Sequence, residues 1–523
     1  MSQKFELQCP RFALFPALLA AGQRHGMSKV ILEDHERQAL TYKRLILASL
    51  ILGRELSRKV GRNQNVGILL PNVNGLVVAL FGLNAFGHTV GLLNFTAGIR
   101  NLISAVKMGP LPFVVTSRKF VETAQLSDAV SALAETEVAP GRKVSVIYLE
   151  DVRKGLGIAA KLKGLLTSVF APWCWRKSAI DPDKPAVILF TSGTESVPKG
   201  VVLSNTNIVA NSAQIFAHAE GMLSPADTVM NPLPIFHSFG LTAATMMPLL
   251  NGLKVVLYPS PLHYKQIPKM IGATQSTILF ATDTFLQGYA RFAEQRDLAS
   301  IRFVIAGAER VKDQTRQQWQ PTVILEGYGA TECSPVISCN LPQANRPGSV
   351  GRLLPGIEAR IEPVAGIAAG GRLFVRGCNV MTGYLFADKP GVLVPPAGGW
   401  HDTGDIVTIE DGFLSIAGRA KRFAKIGGEM ISLAAIERIC ADLWPDADHV
   451  VVNLPDPKKG EALVLVTTEQ RASREALLAF AKMQGMAELS VPRSILIVDA
   501  IPVLGTGKVD FQATQALAKS RLA

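Results

Sequence analysis

Cysteine is sparse: six residues, Cys9, Cys174, Cys333, Cys339, Cys378 and Cys440, are spread over 523 positions, and no two form a C-x-x-C pair. That absence excludes a zinc ribbon or a small disulfide scaffold and suits a reducing, cytoplasmic compartment. Aromatic residues amount to 7% and charged residues to 18%, against a hydrophobic share of 48%. A disordered or collagen-like chain is thereby excluded, and at ~100–200 residues per domain the length predicts two or more domains with large cores. No internal repeat or low-complexity tract is present.

Charge is missing from two places. Between Arg62 and Arg100 there is no Asp, Glu, Lys or Arg, which on length alone would allow a membrane helix. Pro71, Asn72, Asn74, Asn84, His88 and Asn94 break that stretch into VGILL, GLVVALFGLNAFG and TVGLLNF, which predicts a buried strand, helix and strand. Residues 233–258 are also apolar but contain His237, Asn251 and Lys254 and are interrupted by Pro248 and Gly252, so they too are expected in a core. The apolar patch at 12–21 holds a proline and lacks a cleavage site after a basic start; it predicts a helix of the mature protein.

Acidic residues are missing from 152–180, where Arg153, Lys154, Lys161, Lys163, Arg176 and Lys177 stand among Leu165, Leu166, Phe170, Trp173 and Trp175. Basic side chains interleaved with aromatics suit an anionic membrane surface. They equally suit a solvated insertion whose aromatics pack back on the core, and both readings stand open. No nucleic-acid-binding module accompanies the excess of 54 Lys and Arg over 42 Asp and Glu, so nucleic acid is not expected as a partner.

What the chain does have is alternation. VGILL, PFVVTS, AVILFTS, KVVLYP, TILFAT, RFVIAG and TVILEGYG are short apolar runs closed by turn residues and separated by helical patterns, the signature of layered, mostly parallel α/β sheets. After about residue 360 the texture becomes short β segments and turns. From Arg419 onward the chain reads as a compact α+β module, and the polar GRAKRFAKIGGE stretch is a candidate hinge.

The segment ILFTSGTESVPK at 188–199 is an apolar strand running into a hydroxyl- and glycine-rich loop that ends in a lysine. Backbone N–H groups and hydroxyls at such a junction can wrap phosphate oxygens while Lys199 offsets their charge. It is not a Walker loop, because valine follows Lys199–Gly200. The segment resembles the phosphate loop of the adenylate-forming superfamily of acyl- and aryl-CoA synthetases, adenylation domains and luciferases. Further segments resemble that superfamily's motifs in the same order: LPIFHSFG (233–240), AGAE (306–309), EGYGATE (326–332), TGD (403–405), GRAKR (418–422) and LGTGKVD (504–510). Within the superfamily the likeness is closest to the synthetase portion of bacterial acyl–acyl-carrier-protein synthetase/2-acylglycerophosphoethanolamine acyltransferases, carried by FTAGIRNL, LYPSPLHY, ILEGYGATECSPV, GRAKRFAKIGGEMIS and KKGEALVL.

The resemblance implies a large N-terminal domain at 1–418, made of layered α/β sheets plus a β-rich subdomain, with the phosphate loop, adenine site and acyl pocket. A small mobile α+β lid at 419–523 would carry the catalytic lysine. It implies that Thr191, Ser192, Gly193, Thr194, Glu195 and Lys199 hold pyrophosphate, with Ser196 where glycine is common. Gly307, Ala308, Glu309, Glu326, Gly327, Tyr328 and Gly329 would form the adenine site, with Tyr328 stacking on the base. Thr331 would meet the α-phosphate and Glu332, with Thr191, would bind Mg²⁺ through hard oxygen donors.

By the same resemblance Asp405 and Arg419 would hold the ribose, Lys421 would be the hinge, and Lys508 would act on the carboxylate and α-phosphate as a point charge. His237 would gate an acyl pocket built around Phe236, Leu241 and residues 278–285. The cofactors implied are ATP and Mg²⁺. The thiol acceptor implied is acyl carrier protein, with a separate acyltransferase as a further partner because the chain starts directly with the synthetase. Lys421, Arg422 and Lys425 replace an acidic pattern common in relatives and add positive charge suited to an acidic carrier protein. CoA is anionic as well, so charge alone does not separate the two acceptors. The location implied is cytoplasmic or peripheral on the cytoplasmic face of the inner membrane.

Overall fold

The computed structural model describes residues 10–176, 180–191, 198–219, 221–365, 367, 369–419, 422–426, 429–456, 460–484, 486–503 and 509–522. The chain divides into two compact units, residues 1–358 with 376–401, and residues 359–375 with 402–523.

The first unit contains a nine-stranded and an eight-stranded sheet. In the nine-stranded sheet, Thr228–Asn231, Ile278–Ala281, Phe303–Ala306 and Val323–Gly329 run parallel as neighbours. Val336–Cys339 returns antiparallel to the last of them. In the eight-stranded sheet, Asn65–Ile68 lies parallel between Thr89–Leu92 and Phe113–Thr116, and Pro185–Thr191 follows Thr89–Leu92. The hairpin partner Lys199–Ser204 then pairs antiparallel with both Pro185–Thr191 and Gly383–Phe386. These are the apolar runs expected as strands, and the α/β fold class holds. Their parallel neighbours are far apart in sequence, which requires helical crossovers.

The charge-free stretch forms strand Asn65–Ile68, helix Asn74–Ala85 and strand Thr89–Leu92, as expected. That helix is buried from Leu76 to Ala85. It crosses helix Tyr42–Val60 at two glycines: a Cβ on Gly53 would stand 2.3 Å from the carbonyl oxygen of Gly82. Buried leucines and phenylalanines around this crossing each contribute roughly 1.5–3 kcal/mol. No helix among the described residues is long and apolar enough to cross a membrane. The 12–21 patch forms helix Leu14–His25, which buries Leu14, Phe15, Leu18 and Leu19. Cys174, Cys333, Cys339 and Cys440 are free thiols, whereas Cys378 is disulfide-bonded, which runs against the reducing compartment expected from the scattered cysteines.

The second unit combines a four-stranded sheet, Glu358–Glu362, Gly371–Arg376, His401–Glu410 and Phe413–Arg419, with the C-terminal residues. The latter form a sheet of Glu429–Ser432, Phe423–Ile426, Gly460–Thr467 and His449–Asp456, with Ser494–Ile497 parallel to Gly460–Thr467. Helices Leu433–Leu443, Arg474–Met483 and Phe511–Leu522 accompany it. The border expected between 418 and 419 falls inside this unit. Contacts cross it: the Ser432 hydroxyl donates to the Ala417 carbonyl at 3.1 Å and accepts from the Ala435 N–H at 3.2 Å, capping helix Leu433–Leu443.

Candidate active site

Pairing of Pro185–Thr191 with Lys199–Ser204 sets Thr191 opposite Lys199, so the residues flanking the expected phosphate loop are adjacent. The Thr191 hydroxyl donates to the Lys199 carbonyl at 3.5 Å. Ser192, Gly193, Thr194, Glu195 and Ser196 lie outside the described residues. The Lys199 ammonium stands 5.0 Å from the centre of the Tyr384 ring, within cation–π range. The Tyr384 hydroxyl donates to Glu332 Oε1 at 2.7 Å. The expected phosphate-binding lysine and the expected metal-binding carboxylate are therefore joined through one tyrosine. Sequence reading missed Tyr384; its signal was an aromatic in NVMTGYLF, the strand that pairs with Lys199.

Glu332 sits in the short 3₁₀ turn Thr331–Cys333, held by its neighbours. The Met381 N–H donates to the Glu332 carbonyl at 2.7 Å, and Asn379 Nδ2 donates to the Cys333 carbonyl at 2.8 Å. Asn207 in turn donates to the Cys378 and Val380 carbonyls, both at 2.8 Å. Because the turn is fixed by backbone bonds, the Tyr384 hydroxyl is left to orient the carboxylate. Tyr384→Phe is expected to raise the MgATP concentration needed for half-maximal adenylation about tenfold, the size of a hydrogen bond to a charged group. ATP–pyrophosphate exchange measures it; an unchanged half-maximal MgATP would remove Tyr384 from the site.

The expected adenine residues lie at the carboxyl ends of neighbouring parallel strands, where open α/β sheets bind ligands. Phe303–Ala306 leads into Gly307, Ala308 with φ 67° and Glu309. A Cβ on Gly307 would stand 3.2 Å from the Phe239 ring. Gly327, Tyr328 and Gly329 end the next strand, with Tyr328 buried opposite Ser338. A Cβ on Gly329 would lie 2.2 Å from the Pro335 carbonyl oxygen, so only glycine fits.

The two carboxylates expected in the adenine site are engaged within the protein. Glu309 Oε2 accepts from the Thr284 N–H at 3.0 Å and hydroxyl at 2.9 Å, at the start of helix Asp283–Phe292. Buried Glu326 accepts from the Val311 N–H at 3.0 Å and pairs with Arg316. These bonds anchor the loop after Ala306 to both neighbouring elements. Cys339, beside Gly327, has its thiol pushed up to about 12 by burial, so it is no ready nucleophile.

In the segment expected to border an acyl pocket, two asparagines pin residues 231–240. Asn72 donates to the Leu233 carbonyl at 2.6 Å and accepts from the Ile235 N–H at 2.9 Å. Asn231 bonds the Gly240 carbonyl at 3.2 Å and the Thr245 hydroxyl at 2.8 Å. Gly240 is required, since a Cβ would lie 2.3 Å from the Pro234 carbonyl oxygen. Phe239–Met246 forms a π-helix, a wide turn frequent at functional sites. Phe236 is buried 5.2 Å from Phe95, centroid to centroid, and half-buried His237 lies 4.9 Å from Phe236. Leu241 and Phe280 are buried, with Phe280 5.7 Å from Phe239. A cleft of about 450 Å³ lined by Met222, Arg302, Phe303 and Val323 sits at the opposite, amino ends of the strands and belongs to none of this chemistry.

In the second unit Asp405 and Arg419 are register partners across the hairpin, with Arg419 Nε 3.4 Å from Asp405 Oδ1. Asp405 is buried and Arg419 exposed. The Asp405 N–H donates to the Thr403 hydroxyl at 3.1 Å, and that hydroxyl donates to the Leu373 carbonyl at 2.8 Å. Lys421 and Lys508 lie outside the described residues. Arg422 corrects one expectation. Its guanidinium pairs with Glu437 and lies 3.9 Å from the centre of the Phe511 ring. It is therefore part of the module's own packing rather than free positive charge for docking. Burial pushes the Glu437 carboxyl up, and Arg422 opposes that shift.

A family model described as AMP-binding enzyme matches residues 19–385. The chain belongs to the AMP-binding enzyme family. Among its relatives, the 3-[(3aS,4S,7aS)-7a-methyl-1,5-dioxo-octahydro-1H-inden-4-yl]propanoyl:CoA ligase of Rhodococcus jostii is 29% identical over 475 residues, 87% of this chain and 88% of the relative. A long-chain-fatty-acid–CoA ligase of Yersinia pestis is 25% identical over 544 aligned positions, 97% of this chain and 92% of the relative. ATP-bound MatB from Rhodopseudomonas palustris shares the fold, with a TM-score of 0.80, 22% identity and coverage of 98% of this chain and 100% of MatB. The AMP-binding enzyme fold thus accounts for both units of the chain.

Proposed function

We propose that this AMP-binding enzyme activates a medium-to-long-chain fatty acid with ATP and Mg²⁺ as an acyl-adenylate. It then transfers the acyl group to the phosphopantetheine thiol of acyl carrier protein. The observation that carries the first step is the joining of Lys199 and Glu332 through Tyr384 at the mouth of the phosphate hairpin. In that step a carboxylate oxygen bonds to the α-phosphorus, the bond to the β-phosphate oxygen breaks, and pyrophosphate leaves. Two anions must approach each other, so fixed cations and N–H donors are needed to stabilise the in-line transition state.

Thr191, Lys199 and the loop between them hold the leaving pyrophosphate, and Thr331 meets the α-phosphate. The donor chemistry fits Mg²⁺: Glu332 is a half-buried carboxylate, Thr331 precedes it in the chain, and Mg²⁺ is commonly held by one or two carboxylates plus substrate phosphates. When bound, the ion neutralises charge that develops on the phosphates. Tyr328 stacks on adenine, Asp405 accepts the ribose hydroxyls with Arg419 beside it, and the backbone of 307–309 and 326–329 frames the base. In the second step a thiol attacks the acyl carbon and AMP leaves. Between the steps a turn about Lys421 withdraws Lys508, with His237 gating the acyl channel.

The fatty acid reading is supported by the Yersinia pestis relative's name and by the apolar setting of Phe236, Leu241 and Phe280. The carrier-protein reading rests on the motifs that resemble those of acyl–acyl-carrier-protein synthetases, and the net charge of +12 suits an acidic carrier protein and anionic CoA alike. In that reading the enzyme works at the cytoplasmic face of the inner membrane and a separate acyltransferase takes its product for phospholipid recycling. The name of the Yersinia pestis relative favours a second reading, a fatty acyl-CoA ligase, and the Rhodococcus jostii relative's name likewise gives CoA as acceptor. Purified protein with ATP, Mg²⁺ and labelled palmitate, offered acyl carrier protein and CoA in parallel, separates the two. AMP formation with acylated carrier protein and little acyl-CoA is expected; acyl-CoA as the main product would replace the carrier protein by CoA, and no AMP with either would remove the ligase reading.

A further inference from the structure

Among its described side chains, helix Ile158–Arg176 carries apolar residues on two opposite faces, one packed against the fold and one exposed. A Cβ on Gly164 would stand 2.2 Å from Ile51 Cγ1, and Thr167 accepts a hydrogen bond from Arg54 at 2.8 Å, so the helix lies hard against helix Tyr42–Val60. Ala171 is fully buried. Trp175 packs edge-on against Phe15 at 5.5 Å and Phe86 at 6.1 Å and donates to the Ala85 carbonyl at 3.0 Å. One of the segment's two tryptophans thus packs back on the core.

The opposite face carries Leu165, Leu166, Val169 and Phe170, which are 44%, 59%, 65% and 58% exposed. At 100° per residue these four share an arc of about 140°, and the packed positions 164, 167, 171 and 175 share the opposite one. Four large apolar side chains at that exposure form an unpartnered stripe, which marks an interaction surface.

Charge indicates what covers it. The sequence from 152 to 180 has six Lys or Arg residues and no Asp or Glu, and exposed Lys163 borders the stripe. The supporting helix Tyr42–Val60 adds Lys43, Arg44, Arg54, Arg58 and Lys59 against a single acid, Glu55, which is itself paired with Arg58 at 2.7 Å. A second copy of this chain would bring the same positive field to the contact and be repelled. We propose that the Leu165, Leu166, Val169 and Phe170 face lies in the surface of an anionic phospholipid bilayer, with the helix in the plane of the membrane. Apolar side chains enter the acyl boundary while the surrounding lysines and arginines meet the headgroups.

The test is flotation of the purified full chain with vesicles of phosphatidylcholine containing about 30% phosphatidylglycerol at ~0.1 M salt. The wild type is expected to float with these vesicles, to bind pure phosphatidylcholine weakly, and to be released as salt shortens the Debye length. Val169→Glu with Phe170→Glu is expected to weaken binding at least about tenfold, and Leu166→Gln to weaken it less. Circular dichroism and ATP–pyrophosphate exchange in detergent-free buffer are expected to be unchanged, because these side chains are exposed and outside the active site. Three results would overturn the proposal: no flotation of the wild type, equal flotation of the glutamate variant, or a wild-type dimer in sedimentation velocity that the glutamate variant dissolves.

Discussion

Glu332→Gln is expected to lower acyl-adenylate formation about 10²–10³-fold, the range measured when one electrostatic contact to a transition state is removed. Glutamine keeps the shape of the side chain and an oxygen that can accept the Tyr384 hydroxyl, now bonded at 2.7 Å. The turn itself stays fixed by the Met381 N–H and Asn379 bonds. What the substitution removes is the negative charge. If that charge binds Mg²⁺, the loss is partly recovered by raising Mg²⁺, because metal affinity rather than the fold is what changed. ATP–pyrophosphate exchange across a Mg²⁺ series is the measurement. Exchange within about threefold of the wild type at every Mg²⁺ concentration would take Glu332 out of the metal site and leave it a partner of Tyr384.

Lys508→Ala is expected to cost adenylation a similar factor, about 10²–10³, while thioester formation from supplied acyl-adenylate stays within about threefold. The asymmetry follows from the chemistry. Only the first half-reaction brings a carboxylate and a triphosphate together, so only there does a point charge lower the barrier. Lys421→Pro is expected to do the reverse, because a hinge matters to the step that follows domain rotation. Equal loss of both half-reactions in Lys508→Ala would mean that the lysine supports the fold or nucleotide binding generally. A normal thioester rate in Lys421→Pro would place the hinge elsewhere.

Both substitutions start from motifs legible in the sequence, yet they differ in what tertiary structure adds. Lys199 and Glu332 are separated by more than a hundred residues, and nothing in either motif says that they meet. They meet because Gly383–Phe386 pairs with Lys199–Ser204 and presents Tyr384 between them. A lone tyrosine in a short strand carries no motif, so its role could be found only by seeing what its ring and hydroxyl touch. Glu309 and Glu326 show the converse. Their positions in AGAE and EGYGATE drew attention to their carboxylates, and the fold ties those carboxylates to Thr284, Val311 and Arg316. A loop held rigidly at a strand end needs its own acceptors as much as a ligand does.

Charge was the least legible quantity. Arg422 looked in the sequence like part of a basic docking face, but a residue's neighbours decide whether its charge reaches solvent, and Glu437 meets it. In 152–180 the reverse held: composition left a membrane surface and a repacked insertion equally open, and burial split the difference. Trp175 turns inward while Leu165, Leu166, Val169 and Phe170 remain outside.

The sequence by itself determined the secondary-structure elements, because periodicity and turn residues act over a few neighbours. It was enough for the α/β class and for the buried strand–helix–strand at 65–92. Tertiary structure alone decided which of those groups share a site, which charges are cancelled, and where compact units end. Each of these depends on pairs far apart in the chain, and local pattern does not record them. Ser432 bonding across the 418/419 border and Tyr384 bridging Lys199 to Glu332 are both such pairs.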